Sequence, residues 1–129
     1  MKKIAIVFSL VLSVLSFAQT QTEMNIESYN QYLKVDKELN VVYNQILKKY
    51  SSDKVFLKKL KISQNLWVKF RDAEAEAKFP AEEKRYEYGS VFPLCYNSFL
   101  EELTKHRISE LKKWLEGYED GDICNGSIK

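Results

Sequence analysis

Apolar side chains recur at steps of three or four residues in three separate stretches of the chain, and this spacing is the strongest constraint on its fold. The stretches cover residues 23–50, 53–77 and 91–116, and Pro80 and Gly89 interrupt the pattern between the second and the third. No alternation typical of a β-strand reaches a comparable length. The pattern therefore predicts an all-α fold, most simply an antiparallel three-helix bundle of long helices with a short C-terminal tail.

Residues that favour helix ends mark the limits of the expected helices. Thr20 and Glu23 have the spacing of a capping box, so we expect the first helix to begin near Gln21. Asp53 can cap the second helix, and Gly117 ends the third. The apolar positions expected to form the core are Met24, Tyr29, Leu33, Leu39, Val42, Tyr43, Ile46 and Leu47, then Val55, Phe56, Leu60, Trp67 and Phe70, then Leu94, Phe99, Leu100, Leu103, Ile108, Leu111 and Leu115.

The first eighteen residues have the pattern of a secretory signal peptide. Lys2 and Lys3 precede an apolar run at residues 4–17, which is too short to span a bilayer comfortably, and Ser16 and Ala18 suit a cleavage site. Cleavage after Ala18 would leave a single domain, residues 19–129. That domain would be periplasmic or secreted, with no membrane anchor after cleavage.

Charge and cysteine content limit the possible partners and the redox state. Lys2 and Lys3 account for the formal charge of +2, so residues 19–129 are neutral overall, which argues against nucleic acid as a partner. An exported chain with only Cys95 and Cys124 is expected to join them in one disulfide. The alternative is a buried Cys95 and a loose Cys124.

Several polar residues border or interrupt the apolar stretches. A charge buried there must be paired, because an unpaired one costs several kcal/mol, on the order of 3 to 5. We expect a network of arginine and carboxylate groups that fixes the register of the helices, and the alternative is a polar patch that binds a ligand or partner. The residues concerned are Asp36, Asn40, Arg71, Asp72, Thr104 and Arg107.

Catalytic, metal and cofactor chemistry has little support in the sequence. His106 is the only histidine, whereas a metal site usually needs more than one histidine or cysteine at ligand spacing. Carboxylates are numerous, but a glycoside hydrolase needs two of them held across a cleft, and their number alone does not supply that geometry. We therefore predict a non-enzymatic protein with no cofactor, and regard a cell-wall hydrolase as the weakest alternative.

An ordered set of short motifs resembles the LprI-like proteins, a family of small exported bacterial domains named for a lysozyme inhibitor. The motifs are QTEMN at 21–25, DKELNVVY at 36–43, QNLW at 64–67, FRDA at 70–73, GS at 89–90, LTKHR at 103–107 and EL at 110–111. The resemblance covers nearly all of residues 19–129 and implies a secreted helical domain. Glu27, Ala75 and Phe99 stand where relatives often have cysteines, so a Cys95–Cys124 bond would replace the usual ones.

The resemblance implies a function, namely binding to a lysozyme and blocking its cleft. The segment at residues 78–90 is the candidate contact, with Lys84 and Arg85 donating to the acids of the cleft and with Tyr86 and Tyr88 filling sugar subsites. The alternative is an envelope or stress-associated binding module, whose partner would be another protein or a glycan. It would use the polar patch around Arg71 and Asp72.

Overall fold

The structure is a computed structural model that describes the backbone of residues 2–118 and 122–129 and the side chains of residues 20–118 and 122–129. Within these ranges the chain forms four α-helices and one 3-10 turn. The helices are α1 (Lys2–Lys49), α2 (Lys54–Lys78), α3 (Lys84–Tyr88) and α4 (Phe92–Glu116), and the turn is Ile123–Asn125. Helix accounts for 82% of the structure, and no strand occurs within these ranges. The all-α prediction is confirmed.

Local capping chemistry explains where α2 and α4 begin and end. The Asp53 side chain accepts a hydrogen bond from the Phe56 amide at 3.0 Å and so caps α2. Pro80 follows the last residues of α2, and Pro93 occupies the first turn of α4, where its missing amide is tolerated. Gly117 ends α4 with φ +75°, a conformation that glycine adopts without strain. The predicted limits of both helices agree with the structure to within one residue.

The start of α1 differs from the prediction. We expected a helix beginning near Gln21, whereas α1 begins at Lys2. Neither glycine nor proline occurs before Gln21, so no residue stops a helix from extending toward the N-terminus. The predicted signal peptide at residues 1–18 lies outside the part of the chain whose side chains are described. Within that part no helix is long and apolar enough to cross a membrane.

Helix α1 packs chiefly against α4, and the two run in the same direction. Asn97 near the start of α4 donates to Ser28 Oγ at 3.2 Å, and Lys112 near its end bonds Glu38 at 2.9 Å. Helix α2 runs the opposite way and lies mainly on α4, with few contacts to α1. The antiparallel three-helix bundle is not confirmed, because the backbones of α1 and α2 approach each other at few points and a short fourth helix intervenes.

The core forms where α1 meets α4 and α2. Its buried members are Val35, Leu39, Val42, Ile46, Tyr50, Leu60, Ile108 and Leu111. Other residues expected in the core stay about half exposed or more, namely Met24, Tyr29, Leu33, Val55 and Phe70. Met24, Tyr29 and Leu33 lie on a face of α1 that no described helix covers, whereas Val55 and Phe70 lie on the face of α2 turned away from the core.

The C-terminal segment docks at the end of the helices where α1 finishes. The Lys129 amide donates to Tyr50 Oη at 2.9 Å, and Lys49 Nζ donates to the Lys129 carbonyl at 2.6 Å. Lys49 also donates to the carbonyls of Trp114 and Leu115 in the last turn of α4, and the Trp114 carbonyl also accepts from Tyr50 Oη at 3.0 Å. One lysine thus joins the last turns of two helices to the tail.

The predicted disulfide is absent, and both cysteines are free thiols. Cys95 lies in the first turn of α4, whereas Cys124 belongs to the segment that docks beyond the last turn of the same helix. From Cys95 to the last residue of α4 the helix rises about 30 Å, and a disulfide needs Cα atoms within about 7 Å. Lys49 and Tyr50, not a disulfide, hold the tail.

Candidate functional site

The candidate contact residues lie in the α3 segment, which we define as residues 79–91, between α2 and α4. The Lys84 side chain bonds groups of this segment and of α2. Its Nζ bonds Glu76 Oε2 at 2.7 Å and donates to the carbonyls of Phe79 at 2.9 Å and Ala81 at 3.2 Å. The hydrogen bond from Lys84 lowers the pKa of the Glu76 carboxyl; burial opposes this effect, and the lysine charge and a hydrogen bond from Tyr96 add to it. Lys84 therefore fastens the segment to the end of α2.

Tyr88 is also a structural residue. Its Oη accepts a hydrogen bond from the Ala81 amide at 3.2 Å, and its ring lies edge-on to Phe79 and stacks on Phe92. Tyr96 of α4 completes this aromatic cluster, with its ring centroid 5.4 Å from that of Phe92. Such ring pairs stabilise a fold by about 0.5–1.5 kcal/mol each beyond the burial of their area.

Arg85 and Tyr86, in contrast, face solvent. Tyr86 is 89% exposed, although its own backbone is fixed by a hydrogen bond from its amide to the Glu83 carbonyl at 3.0 Å. At the other end of α3, Gly89 has φ +75°, and Asn25 of α1 donates to the Ser90 carbonyl at 2.9 Å. Of the four candidate residues, two hold the segment and two are presented by it.

The predicted polar network is divided into two separate groups in the structure. Arg71 lies at the centre of the first group. Only 8% of Arg71 is exposed. Its Nη1 bonds Asp36 at 3.1 Å across the α1–α2 interface, and its Nε and Nη2 bond Asp72 at 2.9 Å. Burial opposes the charged guanidinium, but the Asp72 hydrogen bond and the nearby charges outweigh it and raise the pKa of Arg71. Burial also raises the pKa of the neighbouring Tyr32.

Arg107 forms the second group, whose hydrogen-bond partners among the described residues are neutral. It donates to Gln64 Oε1 at 3.0 Å and Ser63 Oγ at 3.3 Å, and burial lowers its pKa. Trp67 links the two groups, since Arg71 and Arg107 lie over its ring at 5.4 Å and 5.9 Å from the centroid. Cation–π contact of this kind offsets part of the cost of burying each charge.

The remaining predicted members do not join either group. Asn40 donates to the Asp36 carbonyl within α1, and the fully buried Thr104 donates to the Leu100 carbonyl within α4 at 2.7 Å. Gln64 was missed as a site residue. Its position seven residues before Arg71, on the same face of α2, was the available signal.

No described residues form a site suited to a metal ion. Across residues 20–118 and 122–129, no cluster of three or more histidine, cysteine or acidic side chains is placed to hold a metal. An open cleft of about 370 Å³ lies along α4 and α1, away from α3. Charged side chains line it, and two of them, Glu38 and Lys112, are paired with each other across it at 2.9 Å.

The fold therefore defines a small all-α protein that presents a short, firmly held helix between its two later helices. The sequence model of the family described as lysozyme inhibitor LprI matches residues 15–111. This chain belongs to that family, which confirms the resemblance drawn from its motifs. It is also similar to an uncharacterized protein of Rhizobium meliloti (strain 1021), with 31% identity over 115 residues, covering 80% of this chain and 79% of the relative. No solved structure matches the chain.

Proposed function

We propose that this protein is an exported, non-enzymatic inhibitor that binds a lysozyme through the α3 segment. Membership of the lysozyme inhibitor LprI family supports the class of activity. The observation that carries the choice of surface is the exposure of Tyr86 on a helix whose backbone is fixed on both sides. Export rests on the pattern of residues 1–18, with cleavage after Ala18 and release into the periplasm or the exterior.

The chemistry of a lysozyme cleft suits the two exposed residues. The cleft contains the pair of carboxylates that hydrolyse a glycosidic bond. The Arg85 guanidinium can bond a carboxylate through two parallel donors, and the Tyr86 ring can occupy a sugar subsite, where aromatic surface is commonly bound. In this mechanism Arg85 and Tyr86 touch the enzyme, while Lys84 and Tyr88 position them.

A fixed segment binds more tightly than a mobile one because less conformational entropy is lost on association. Ordering a flexible side chain or loop residue at an interface costs about 0.5–1.5 kcal/mol. Here Lys84, the aromatic cluster and the Asn25–Ser90 hydrogen bond already hold the backbone of the segment in the free protein, so the cost falls mainly on the side chains of Arg85 and Tyr86.

The test compares two double variants in a peptidoglycan lysis assay with a c-type lysozyme, backed by direct binding. Arg85→Ala with Tyr86→Ala should weaken inhibition at least tenfold, which corresponds to about 1.4 kcal/mol of binding free energy. The control is Lys48→Ala with Ile123→Ala, which also removes one cation and one exposed apolar side chain, far from α3. It should inhibit like the parent protein.

Two results would contradict the proposal. Wild-type protein that neither binds nor inhibits lysozyme would reject the function. Inhibition that survives loss of Arg85 and Tyr86 would reject the α3 surface and leave the function standing. The polar patch of the alternative binding module is less suited to a partner, because the donors of Arg71 already bond Asp36 and Asp72.

A further inference from the structure

One face of α2 carries an unbroken row of exposed residues that no other described helix covers. Only Lys59 in this row is charged, and the exposed fractions of its four large apolar members lie between 48% and 73%. We call this row the α2 seam. Its members, all exposed, are Val55, Lys59, Ile62, Leu66, Phe70, Ala73 and Ala77.

The seam lies on the side of α2 opposite the core. Ile62 and Leu66 lie about 200° around the helix from the buried Leu60 and Gln64, at about 100° per residue. The seam is therefore a second apolar face on a helix that already has one. An isolated surface helix normally has only one such face, since the other stays polar.

The spacing of the seam is symmetric about Leu66. Members lie four, seven and eleven residues before Leu66 and again four, seven and eleven residues after it. A copy of the helix turned end to end therefore presents the same row of positions. This is the condition for an isologous interface, in which one surface pairs with itself across a two-fold axis.

Charge selects the antiparallel direction. The first third of α2 carries Lys54, Lys58, Lys59 and Lys61 and no acid, whereas the last third carries three acids, Asp72, Glu74 and Glu76, with Arg71 and Lys78. End-to-end pairing brings the exposed Lys58 beside the exposed Glu76 of a second copy, because each flank of the seam faces the same flank of the partner helix. Parallel pairing would bring lysine against lysine, which is repulsive.

We propose that the chain forms an antiparallel homodimer through the α2 seam. Leu66 packs against the partner's Leu66 on the two-fold axis, and Ile62 packs against the partner's Phe70. Toward each end a larger side chain meets an alanine, since Val55 faces the partner's Ala77 and the Lys59 stem faces the partner's Ala73. Large and small side chains alternate across the interface as in packed helix pairs.

The exposed area is of the right order for such a dimer. Four large side chains exposed to this degree present on the order of 400 Å² of apolar surface, within the range of the largest patches on monomeric proteins. One partner of a standard interface contributes about 800 Å², and the flanking lysine and glutamate stems would supply the rest. Because α3 follows the C-terminal end of α2, the two α3 segments would lie at opposite ends of the dimer.

The first experiment measures the mass of the exported protein by analytical ultracentrifugation over a range of concentrations. The parent protein should approach twice its monomer mass. Leu66→Glu should raise the dimer dissociation constant by about tenfold or more, because two carboxylates would meet on the axis. Val41→Glu, which changes an exposed apolar residue on α1, should leave the constant unchanged. A parent protein that stays monomeric at millimolar concentration would overturn the proposal.

A charge reversal tests the direction of pairing. Lys58→Glu should weaken the dimer, because it would place a carboxylate beside Glu76 of the partner copy. An unchanged dimer dissociation constant in Lys58→Glu would overturn the antiparallel arrangement. A monomer that uses Leu66 to bind a different protein would show that the seam has another occupant, and would equally overturn the homodimer. None of these variants alters Arg85 or Tyr86, so a failed dimer leaves the lysozyme test intact.

Discussion

Replacing Lys84 by methionine separates a positioning role for this residue from direct contact with a lysozyme. The substitution keeps most of the side-chain stem and removes the ammonium group. Three acceptors then lose their donor: the Glu76 carboxylate and the carbonyls of Phe79 and Ala81. The segment that presents Arg85 and Tyr86 would be less firmly attached to α2.

The expected loss of stability follows from the two carbonyl bonds. A hydrogen bond that involves a charged group contributes about 1.5–3 kcal/mol when buried, but the Lys84 side chain is 23% exposed, so water recovers part of this. We expect Lys84→Met to lower the free energy of unfolding by about 1–2 kcal/mol. The melting temperature of a domain of this size should fall by roughly 4–8 °C.

Chemical denaturation measures this change, and Glu76→Gln provides the partner variant. If Lys84 acts through Glu76 and the neighbouring carbonyls, the double variant should lose less than the sum of the two single losses, because both changes break the same contact. Across these variants, inhibition of the lysozyme should weaken in the same rank order as the free energy of unfolding falls. Additive losses, or full stability with lost inhibition, would refute the reasoning and indicate that Lys84 contacts the enzyme directly.

Acid provides an independent check on the same pair. The hydrogen bond from Lys84 holds the pKa of Glu76 below its ordinary value of 4.5. A carboxyl whose pKa is lowered in the folded protein stabilises that protein fully at a pH above the ordinary pKa. This stabilisation is lost as the pH falls through the lowered pKa. Titration of the Glu76 carboxyl by NMR should give a midpoint below 4.5, returning toward 4.5 in Lys84→Met. A parent midpoint at or above 4.5 would contradict the geometry.

Three further predictions concern the rest of the fold. Gly117→Ala should lower the free energy of unfolding in denaturant more than Gly126→Ala. Both positions have positive φ, but only at Gly117 would a Cβ meet the Lys129 carbonyl oxygen, at 2.8 Å. Equal losses of stability in the two variants would contradict this. Thr104→Val should change the free energy of unfolding by less than about 1 kcal/mol, because its hydroxyl bonds only its own helix, and a larger loss in the same assay would show a wider role. Mass spectrometry of the exported protein should find Cys95 and Cys124 without a bond between them, and a disulfide-linked peptide pair would disprove the docked tail.

Local signals in the sequence were sufficient for most helix limits. The Asp53 cap, the two prolines and Gly117 each act within one turn of the chain, so their effect can be read without knowing the tertiary fold. The start of α1 was not predictable in the same way. The capping box at residues 20–23 favours a helix start, but it does not prevent the helix from extending further back.

The core and the candidate site depended on contacts that the sequence does not contain. Tyr29 and Leu33 belong to a helical apolar pattern, yet they stay exposed because α2 lies on α4 and not on that face of α1. Lys84 and Tyr88 are residue types common at contact surfaces, but here their side chains form hydrogen bonds within the α3 segment. Only the pairing of Arg71 with Asp36 followed from a general rule, that a buried charge requires a partner.

The pairing of α1 with α4 has a consequence for how the molecule folds. The hydrogen bonds between these helices join residues separated by 65 to 74 positions, whereas the backbones of the neighbouring α1 and α2 approach each other at few points. A long loop must therefore close before the core gains its main contacts, which favours slow folding over rapid local assembly. During synthesis the buried side chains of α1 would have no packing partner until α4 is made. The chain would therefore have no stable tertiary structure until most of it has been synthesised.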